Sequence, residues 1–370
     1  AKEAMVPLLE DEYGNPSANY PFGDRAGSIV ERARIRIAGM INANPENIIF
    51  TSGGTESDNS AVLKIKDIEN SHIITTKIEH HAVLNTCEYA RKKGAEVTYL
   101  NVNPDGEINI DELEKSIKEN TRLISVMFAN NEIGTIEPIA KIGRLARTYG
   151  ITFHTDAVQA FGHVPINVAR MNIDMMSVSA HKFNGPKGVG FLYVRNIDDF
   201  EPLIWGGGQE NGKRSGTENV PGAAGMGLAA QLAYQKFEQK KAHLNELRRY
   251  FLEGIHKLDD VSINGWDETA DGEECIERRA PHIVSVSFTG VRSEVLLNAL
   301  SDRGIYVSSG SACSSNHPAL SSTLQAIGLD KKLIEGTLRF SFCENTTKEE
   351  LDQALKALKE LLPMLRRYTR

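Results

Sequence analysis

The stretch SVSAHKFNGPKG, residues 177–188, decides the fold because it places a lysine, Lys182, directly after an apolar strand pattern. That pattern is DMMSVS, residues 174–179, which is short, apolar and typical of a buried strand. A lysine usually keeps its ammonium group in water. A lysine at the end of a core strand is therefore either a surface residue that happens to follow a strand or a residue with a chemical role.

Further strand patterns lie on both sides of this stretch, and helical patterns separate most of them. They are NIIFTS (47–52), HIITT (72–76), EVTYLN (96–101), LISVMF (123–128), ITFHT (151–155) and VGFLYV (189–194). Such alternation predicts an α/β fold whose mostly parallel sheet is covered by helices. In such a sheet, ligands bind beyond the carboxyl ends of the strands, which is where Lys182 lies.

The pattern changes in the last third of the chain. One long connecting helix is predicted from Asn219, which suits an N-cap, to about residue 257. The strand patterns beyond it are HIVSVSF (282–288), IYVS (305–308) and TLRFSF (337–342). We predict a large domain at 14–257 and a smaller α+β C-terminal domain at 258–370, against which residues 1–13 pack.

Composition narrows the functional classes. The 370 residues carry a formal net charge of −7, which argues against nucleic acid as a direct partner, since phosphate-binding surfaces need a positive field. No apolar run approaches the ~20 residues that span a bilayer and no signal peptide is visible, so we expect a cytoplasmic protein. The chain opens with Ala1 instead of Met, as a fragment lacking its start would. The four cysteines have no disulfide or zinc-site spacing and fit a reducing compartment; they are Cys87, Cys275, Cys313 and Cys343.

Three polar features follow predicted strands and indicate one cofactor. Gly54 and Thr55 open a helix after a strand, where free backbone N–H groups can bind a phosphate, although a plain strand–helix turn explains them equally well. Asp156 ends another strand, where it either caps a helix or has a chemical role. An acid and Lys182 at adjacent strand ends, beside a phosphate site, suit pyridoxal 5'-phosphate: the lysine forms a Schiff base and the acid pairs with the pyridine nitrogen.

Other residues have a chemical and an ordinary interpretation. His80, beside His81 in IEHHAV, either stacks on a cofactor ring or is a histidine at a helix start; a zinc pair is disfavoured because adjacent helical residues point in different directions. Arg339, in TLRFSF, either faces inward toward a substrate carboxylate or is an exposed edge-strand residue. Cys313, among the small polar residues of YVSSGSACSSNHP, has the setting of an exposed nucleophile, whereas Cys87 is expected in the core.

Taken together, these residues resemble a known family: the cysteine desulfurases of the NifS/IscS type, pyridoxal phosphate enzymes of fold type I within the class V aminotransferases. The resemblance covers essentially the whole chain. Its motifs, in family order, are GNPSA, TSGGTESDN, EHHAVL, ANNEIGT, HTDAVQ, SAHKFNGPKGVG, GGGQENGKRSGTENVP, SSGSACSS and LRFS. Each motif is weak alone, but the ordered set is specific.

The resemblance implies a role for each site residue. Lys182 would form the Schiff base, Cys313 would be the nucleophile that accepts sulfur, and His80 would stack on the ring as a third catalytic residue. Asn131 and Arg339 would bind the carboxylate of the substrate, L-cysteine. The other cofactor ligands would be Asp156 at the pyridine nitrogen, Gln159 at the phenolic oxygen, and Gly54, Thr55, Ser179, His181 and, from the second subunit of a homodimer, Thr217 at the phosphate.

The implied reaction converts L-cysteine to L-alanine and leaves the sulfur as a persulfide on Cys313. The sulfur would then pass to an iron–sulfur cluster scaffold or to tRNA-thiolation proteins. The nearest alternative is a selenocysteine lyase or another class V transaminase or lyase; a transaminase needs no thiol in the SGSAC loop. A non-catalytic relative with the same fold is disfavoured by the intact Lys182, Asp156 and His80.

The sequence departs from the family pattern in two places. It lacks the short opening strand and Thr-rich turn that help wall the substrate pocket, so we expect an incomplete wall there. Cys343 stands where relatives often carry glycine or serine, and packing is its expected role.

Overall fold

The computed structural model describes residues 1–65, 67–309 and 320–368. The chain divides into two compact units, each built from separate segments. The first comprises Ala1–Leu100, Ile110–Phe128 and Pro138–Phe237, and the second comprises Asn101–Asn109, Ala129–Glu137 and Glu238–Arg370.

Within the described residues, the first unit is centred on a seven-stranded sheet. Its strands are β1 (Ile48–Thr51), β2 (His72–Thr76), β3 (Glu96–Leu100), β4 (Thr121–Ser125), β5 (Thr152–Asp156), β6 (Met175–Ser179) and β7 (Gly190–Val194). They lie in the order β1-β7-β6-β5-β4-β2-β3. Neighbours are parallel from β6 to β3, whereas β7 runs antiparallel to both β6 and β1. The predicted mostly parallel sheet is confirmed, and every strand except β7 ends at the same edge.

Helices accompany this sheet. They are α1 (Lys2–Met5), α2 (Pro7–Glu10), α3 (Pro21–Ile41), α4 (Gly54–Leu63), α5 (His81–Lys92), α6 (Ile110–Lys115), α7 (Ile139–Thr148) and α8 (Val220–Tyr234). Helix α8 begins where the sequence predicts, because the side chain of Asn219 accepts a hydrogen bond from the Gly222 N–H at 3.0 Å. The strands have the continuous apolar character of a sheet buried on both faces: Ile73, Leu123 and Leu192 are at most 1% exposed.

The second unit contains a smaller antiparallel sheet and its own helices, as an α+β domain should. Its elements are α9 (Phe237–Ile255), β8 (Val261–Asn264), β9 (Ile283–Phe288), α10 (Ser293–Ser301), β10 (Ser308–Ser309), α11 (Ser322–Ala326), α12 (Lys331–Glu335), β11 (Thr337–Ser341) and α13 (Lys348–Tyr368). The strands lie in the order β10-β11-β9-β8. Helices α9, α10 and α13 cover the sheet with one apolar core that includes Phe251, Leu296, Leu338 and Leu358.

A buried ion network lies in this second unit. The Glu268 carboxylate accepts hydrogen bonds from Arg248 at 3.0 Å and from Arg279 at 2.8 and 3.0 Å. The side chains of all three are about 1% exposed. Burial lowers the pKa of Arg279 to about 10. Since such a network is stable only when its charges are paired, Glu268 is needed to keep two arginines inside this unit.

Two details differ from the sequence-based expectations. The single connecting helix is wrong: α8 and α9 are separate, because Gln235 is extended and Lys236 adopts a left-handed conformation with φ of 56°. Residues 1–13 group with the first unit, where the Met5 side chain lies close to Gly225 of α8, and residues 238–257 group with the second. The predicted functional domains at 14–257 and 258–370 stay a prediction. Among the described helices, none is long and apolar enough to cross a membrane.

Candidate active site

The predicted cofactor residues of the first unit gather along the edge where its strands end. Gly54 follows β1, His80 follows β2, and Asp156 is the last residue of β5. Ser179 ends β6, and Lys182 lies three residues beyond it. This is the edge at which α/β sheets bind ligands.

Lys182 lies in a short 3-10 turn, Ala180–Phe183, between β6 and β7. The backbone then turns back on itself at Gly185, where a Cβ would lie only 2.8 Å from the Ala180 carbonyl oxygen. The side chain of Lys182 is exposed, and its positive charge acts on both Asp156 and His80. The turn therefore presents an amine to the groups that the sequence assigns to the cofactor ring.

Asp156 is a buried carboxylate, 5% exposed. The backbone N–H of Val158 donates a hydrogen bond to its Oδ1 at 2.9 Å. Burial raises the pKa of the carboxyl to about 6, although this hydrogen bond and the Lys182 charge favour ionisation. An acid held in this way gains stability when a cationic group comes within reach of it, as the protonated pyridine nitrogen of a cofactor would.

His80 is the N-cap of α5, and its Nδ1 accepts a hydrogen bond from the Ala82 N–H at 3.1 Å. This contact fixes the tautomer, since an accepting Nδ1 leaves the proton on Nε2. Burial, and then the charges of His81 and Lys182, lower the pKa of His80. The half-buried ring is therefore a neutral imidazole near pH 7, while His81 beside it is exposed.

The phosphate candidates surround the start of α4. Its N-cap, Gly53, provides no side-chain acceptor, and the first N–H groups of a helix have none within the helix. A Cβ on Gly54 would lie 2.7 Å from Cγ2 of Val158, so glycine permits this close approach. Across the loop, the Ser179 hydroxyl hydrogen-bonds to Nδ1 of His181 at 2.8 Å. Thr55 is exposed on the first turn.

Two further predicted cofactor ligands lie in the same unit. Gln159 is half-buried, three residues beyond Asp156. Thr217 is exposed and lines a cleft together with Ser52, which follows β1, and Gly188, which precedes β7. An exposed Thr217 is compatible with the predicted reach into a second subunit.

Sequence reasoning missed two buried acids behind this edge. Asp58, on α4, is 1% exposed, and burial followed by the charge of Asp156 raises its pKa well above the usual range. Glu79 precedes His80, accepts a hydrogen bond from the Met127 N–H at 2.8 Å, and has its pKa raised to about 8 by burial. Asp156 thus belongs to a cluster of three buried acids, and burial raises the pKa of each. Both acids lie in quoted motifs, but nothing in the sequence distinguishes them from exposed helix-start residues.

The predicted carboxylate-binding residues meet in the second unit. Arg339 is half-buried on β11, and its Nη1 donates a hydrogen bond to the backbone carbonyl of Asn131 at 2.7 Å. Strand β11 lies between β10 and β9, so the edge-strand alternative for Arg339 is wrong. Sequence reasoning missed the neighbouring Glu132, which is 8% exposed and whose carboxylate accepts a hydrogen bond from the Ser321 hydroxyl at 2.6 Å.

The cysteines differ sharply in exposure. Cys313 lies outside the described residues, so its nucleophilic role stays a prediction. Cys87 and Cys275 are buried, and burial raises the pKa of both thiols, to about 12 for Cys87. The predicted core position of Cys87 is confirmed, but packing as the role of Cys343 is wrong, because this thiol is exposed.

Pyridoxal phosphate fits the residues at the sheet edge. It requires an amine, an acid for the ring nitrogen and donors for a phosphate. Lys182 offers the amine and Asp156 the buried acid. The start of α4, which no side chain caps, offers backbone donors beside Ser179.

Comparison with known proteins identifies the family. Residues 2–354 match the family described as aminotransferase class-V. Cysteine desulfurase IscS of Dictyoglomus turgidum is 45% identical over 98% of this chain and 91% of its own. The chain belongs to the cysteine desulfurases of the class-V aminotransferases. A cysteine desulfurase IscS of Methanosarcina thermophila is 44% identical over 98% of this chain and 89% of its own.

Solved structures agree with this membership. A NifS-like protein superposes with a TM-score of 0.90 at 38% identity, covering 98% of this chain and 95% of that one. A cysteine desulfurase from Thermococcus onnurineus NA1 has a TM-score of 0.87 at 26% identity over 98% of this chain and 91% of its own. The predicted pyridoxal phosphate fold of type I is confirmed, and cysteine desulfurases are enzymes that depend on this cofactor.

Proposed function

We propose that the protein converts L-cysteine to L-alanine and transfers the sulfur to one of its own cysteines. The observation that carries this proposal is the sheet edge where the charge of Lys182 acts on a buried acid, Asp156, and on a neutral histidine, His80. Relatives at 44–45% identity named cysteine desulfurase support the choice of substrate.

When bound, pyridoxal phosphate supplies a carbonyl that condenses with amines and a ring that withdraws electrons from the substrate Cα. Lys182 would hold the cofactor through its Nζ between turnovers and, once displaced by the substrate amine, would take the Cα proton on that same atom. Asp156 would keep a proton on the ring nitrogen. The neutral imidazole of His80 would stack on the ring without adding a charge beside it.

The remaining first-unit residues would orient the cofactor. The N–H groups of Gly54 and Thr55 would bind the phosphate together with the hydrogen-bonded pair Ser179 and His181. Gln159 would donate to the phenolic oxygen. We further propose that Thr217 completes the phosphate site of a second copy in a homodimer, since it is exposed on the rim of its cleft.

Arg339 and Asn131 would bind the substrate carboxylate. A guanidinium group can donate two parallel hydrogen bonds to a carboxylate. The contact of Arg339 Nη1 with the Asn131 carbonyl fixes one side of this group and holds the two residues in one arrangement.

Cys313 would accept the sulfur. Its thiolate would attack the substrate sulfur and form an S–S bond. The C–S bond would break with its electron pair passing to carbon, which a proton then neutralises on the way to alanine. Among the described cysteines, Cys87 and Cys275 are too buried to compete, and Cys343 is the exposed alternative.

The setting of the reaction is also part of the proposal. We propose that the enzyme works in the reducing cytoplasm. Because a persulfide survives there only if its sulfur is passed on quickly, we also propose a protein acceptor. An iron–sulfur cluster scaffold or a tRNA-thiolation protein would suit this role.

The test compares Cys313→Ser with Cys343→Ser after incubation of each holoenzyme with L-cysteine. We expect mass spectrometry to find one added sulfur on Cys313 in the wild type and in Cys343→Ser. Cys313→Ser should gain none and should stop releasing alanine, while Lys182→Ala should lose the imine-linked cofactor absorption.

Other outcomes would favour the alternatives. Full turnover by Cys313→Ser with free sulfide would indicate a lyase of the selenocysteine lyase type. Formation of a keto acid instead of alanine would indicate a transaminase. Added sulfur on Cys343 would still indicate a cysteine desulfurase, but it would show that Cys343 and not Cys313 is the nucleophile.

A further inference from the structure

We propose that Glu132 is the internal counter-charge of Arg339, so that binding of a substrate carboxylate is accompanied by uptake of a proton at Glu132. This makes Glu132 a positioning residue for substrate binding. The inference rests on the proposed role of Arg339 and concerns residues of the second unit alone.

A rigid turn presents Glu132. The segment 129–137 folds back on itself through a bridge between Ala129 and Ile136. Within it, Oδ1 of Asn130 accepts hydrogen bonds from the N–H groups of Glu132 at 2.8 Å and Ile133 at 3.0 Å. The turn therefore fixes Glu132 beside Asn131, whose carbonyl binds Arg339.

The Glu132 carboxylate is enclosed in polar contacts. It is 8% exposed, and its Oε2 accepts a hydrogen bond from Ser321 at 2.6 Å. The side chain of Thr323 also favours the ionised form of this carboxylate. The fixed charge that acts on it is that of Arg339. A hydroxyl donor and a nearby guanidinium charge favour the ionised form of a buried carboxylate without forming a complete ion pair.

The other charged groups of this turn have different partners. Glu137 accepts a hydrogen bond from the Ile108 N–H at 3.0 Å. Arg279, whose backbone pairs with Thr135, donates hydrogen bonds to Glu268, a carboxylate that it shares with Arg248. Among the described residues, Arg339 is therefore the charge that acts on Glu132, and an incoming carboxylate would act on the same guanidinium group.

The carboxyl of Glu132 changes between its protonated and ionised forms near neutral pH. Burial raises its pKa to about 7, although Ser321, Arg339 and Thr323 favour the ionised form. A substrate carboxylate bound to Arg339 adds a second negative charge nearby, which favours protonation of Glu132. By linkage, binding that takes up a proton weakens as the pH rises.

The test uses the holoenzyme and L-alanine, which carries the carboxylate but no sulfur. Calorimetry in two buffers of different ionisation enthalpy gives the number of protons exchanged on binding. With Glu132 about half ionised at pH 7, the wild type should take up as much as about half a proton more than Glu132→Gln. The matched control is Glu137→Gln, another buried acid of the same segment, which should behave as the wild type.

Kinetics provide a second measurement. From pH 6 to pH 8.5, KM for L-cysteine should rise in the wild type relative to Glu132→Gln by up to about tenfold, which corresponds to a change of one pKa unit on binding. The value of kcat should differ by less than about twofold. If Glu132→Gln does not fold, Ser321→Ala removes one donor to the carboxylate and should move this KM rise to higher pH.

Two failures can be told apart. If Arg339→Ala binds L-alanine as tightly as the wild type, the proposed carboxylate site is wrong. If Arg339→Ala binds weakly but Glu132→Gln shows the proton uptake and the KM profile of the wild type, Glu132 is not the counter-charge. Equal effects of Glu132→Gln and Glu137→Gln would also overturn the proposal, because they would indicate a general effect of removing a buried acid.

Discussion

Replacing Asp156 by asparagine should stabilise the cofactor-free protein and abolish activity. Asp156 is 5% exposed, and burial raises the pKa of its carboxyl from the ordinary 3.8 to about 6. In the unfolded chain the carboxyl ionises near its ordinary value. Above about pH 6 the charge is present in both states, but only the folded state bears the cost of burying it.

The magnitude follows from these two pKa values. One pKa unit corresponds to about 1.4 kcal/mol, so the difference between 3.8 and about 6 lowers the free energy of unfolding by at most about 3 kcal/mol above pH 6. The loss fades as the pH falls from about 6 to 3.8, since the folded protein takes up the proton first. Asparagine has the shape of the acid without its charge. Asp156→Asn should therefore restore the lost free energy of unfolding at pH 7.5, and its effect should become smaller as the pH falls toward 4.

Urea unfolding of the cofactor-free protein at pH 7.5 and pH 4.5 measures the effect. Asp156→Asn should be more stable at pH 7.5, and its advantage should shrink to about a third at pH 4.5. Asp302→Asn, at an exposed position, is the control and should stay within about 0.5 kcal/mol of the wild type. The reasoning fails if Asp156→Asn is no more stable at pH 7.5, or if its advantage is the same at both pH values.

Two further predictions concern the second unit. Glu268→Gln should lower the free energy of unfolding by about 3–5 kcal/mol, because it leaves Arg248 and Arg279 buried without their counter-charge. The control, Glu277→Gln, removes a surface ion pair with Lys241 and should cost less than about 1 kcal/mol. Urea unfolding of the two variants measures the difference. Arg339→Ala should lower kcat/KM for L-cysteine by about ten- to a few-hundred-fold, because it removes a charge-assisted contact worth about 1.5–3 kcal/mol. A change of less than about twofold in steady-state assays would contradict the proposed role of Arg339.

The sequence predicted the first sheet well because its strands are short, apolar on both faces and separated by helical patterns. The same regularity predicted that Asp156 and Lys182 lie at one edge. The break between α8 and α9 could not be predicted, since Gln235 and Lys236 are ordinary helix residues. Long-range packing accompanies it: the ring of Tyr234 packs edge-on against that of Phe161 with centroids 5.3 Å apart, and its hydroxyl accepts a hydrogen bond from the Gly162 N–H.

Buried acids were the main omission at the candidate site. Asp58 and Glu132 lie among polar neighbours, so their local sequence is that of an exposed segment. Their burial depends on partners far along the chain, such as Ser321 for Glu132, which periodicity does not reveal. Exposure of Cys343 was missed for a different reason: β11 ends at Ser341, so the strand pattern does not predict which way Cys343 points.

The reversed direction of β7 has a consequence for the order of folding. Ser179 and Gly190 are paired, so the pairing of β6 with β7 closes only the loop 180–189, which carries Lys182. Pairing of β1 with β7 joins Thr51 to Gly190 across about 140 residues, and closing that loop costs about 2 kcal/mol more chain entropy. Contacts that are near in sequence form sooner than distant ones. The turn that carries Lys182 can thus be in place before Gly53 and Gly54, which follow β1, are brought beside it.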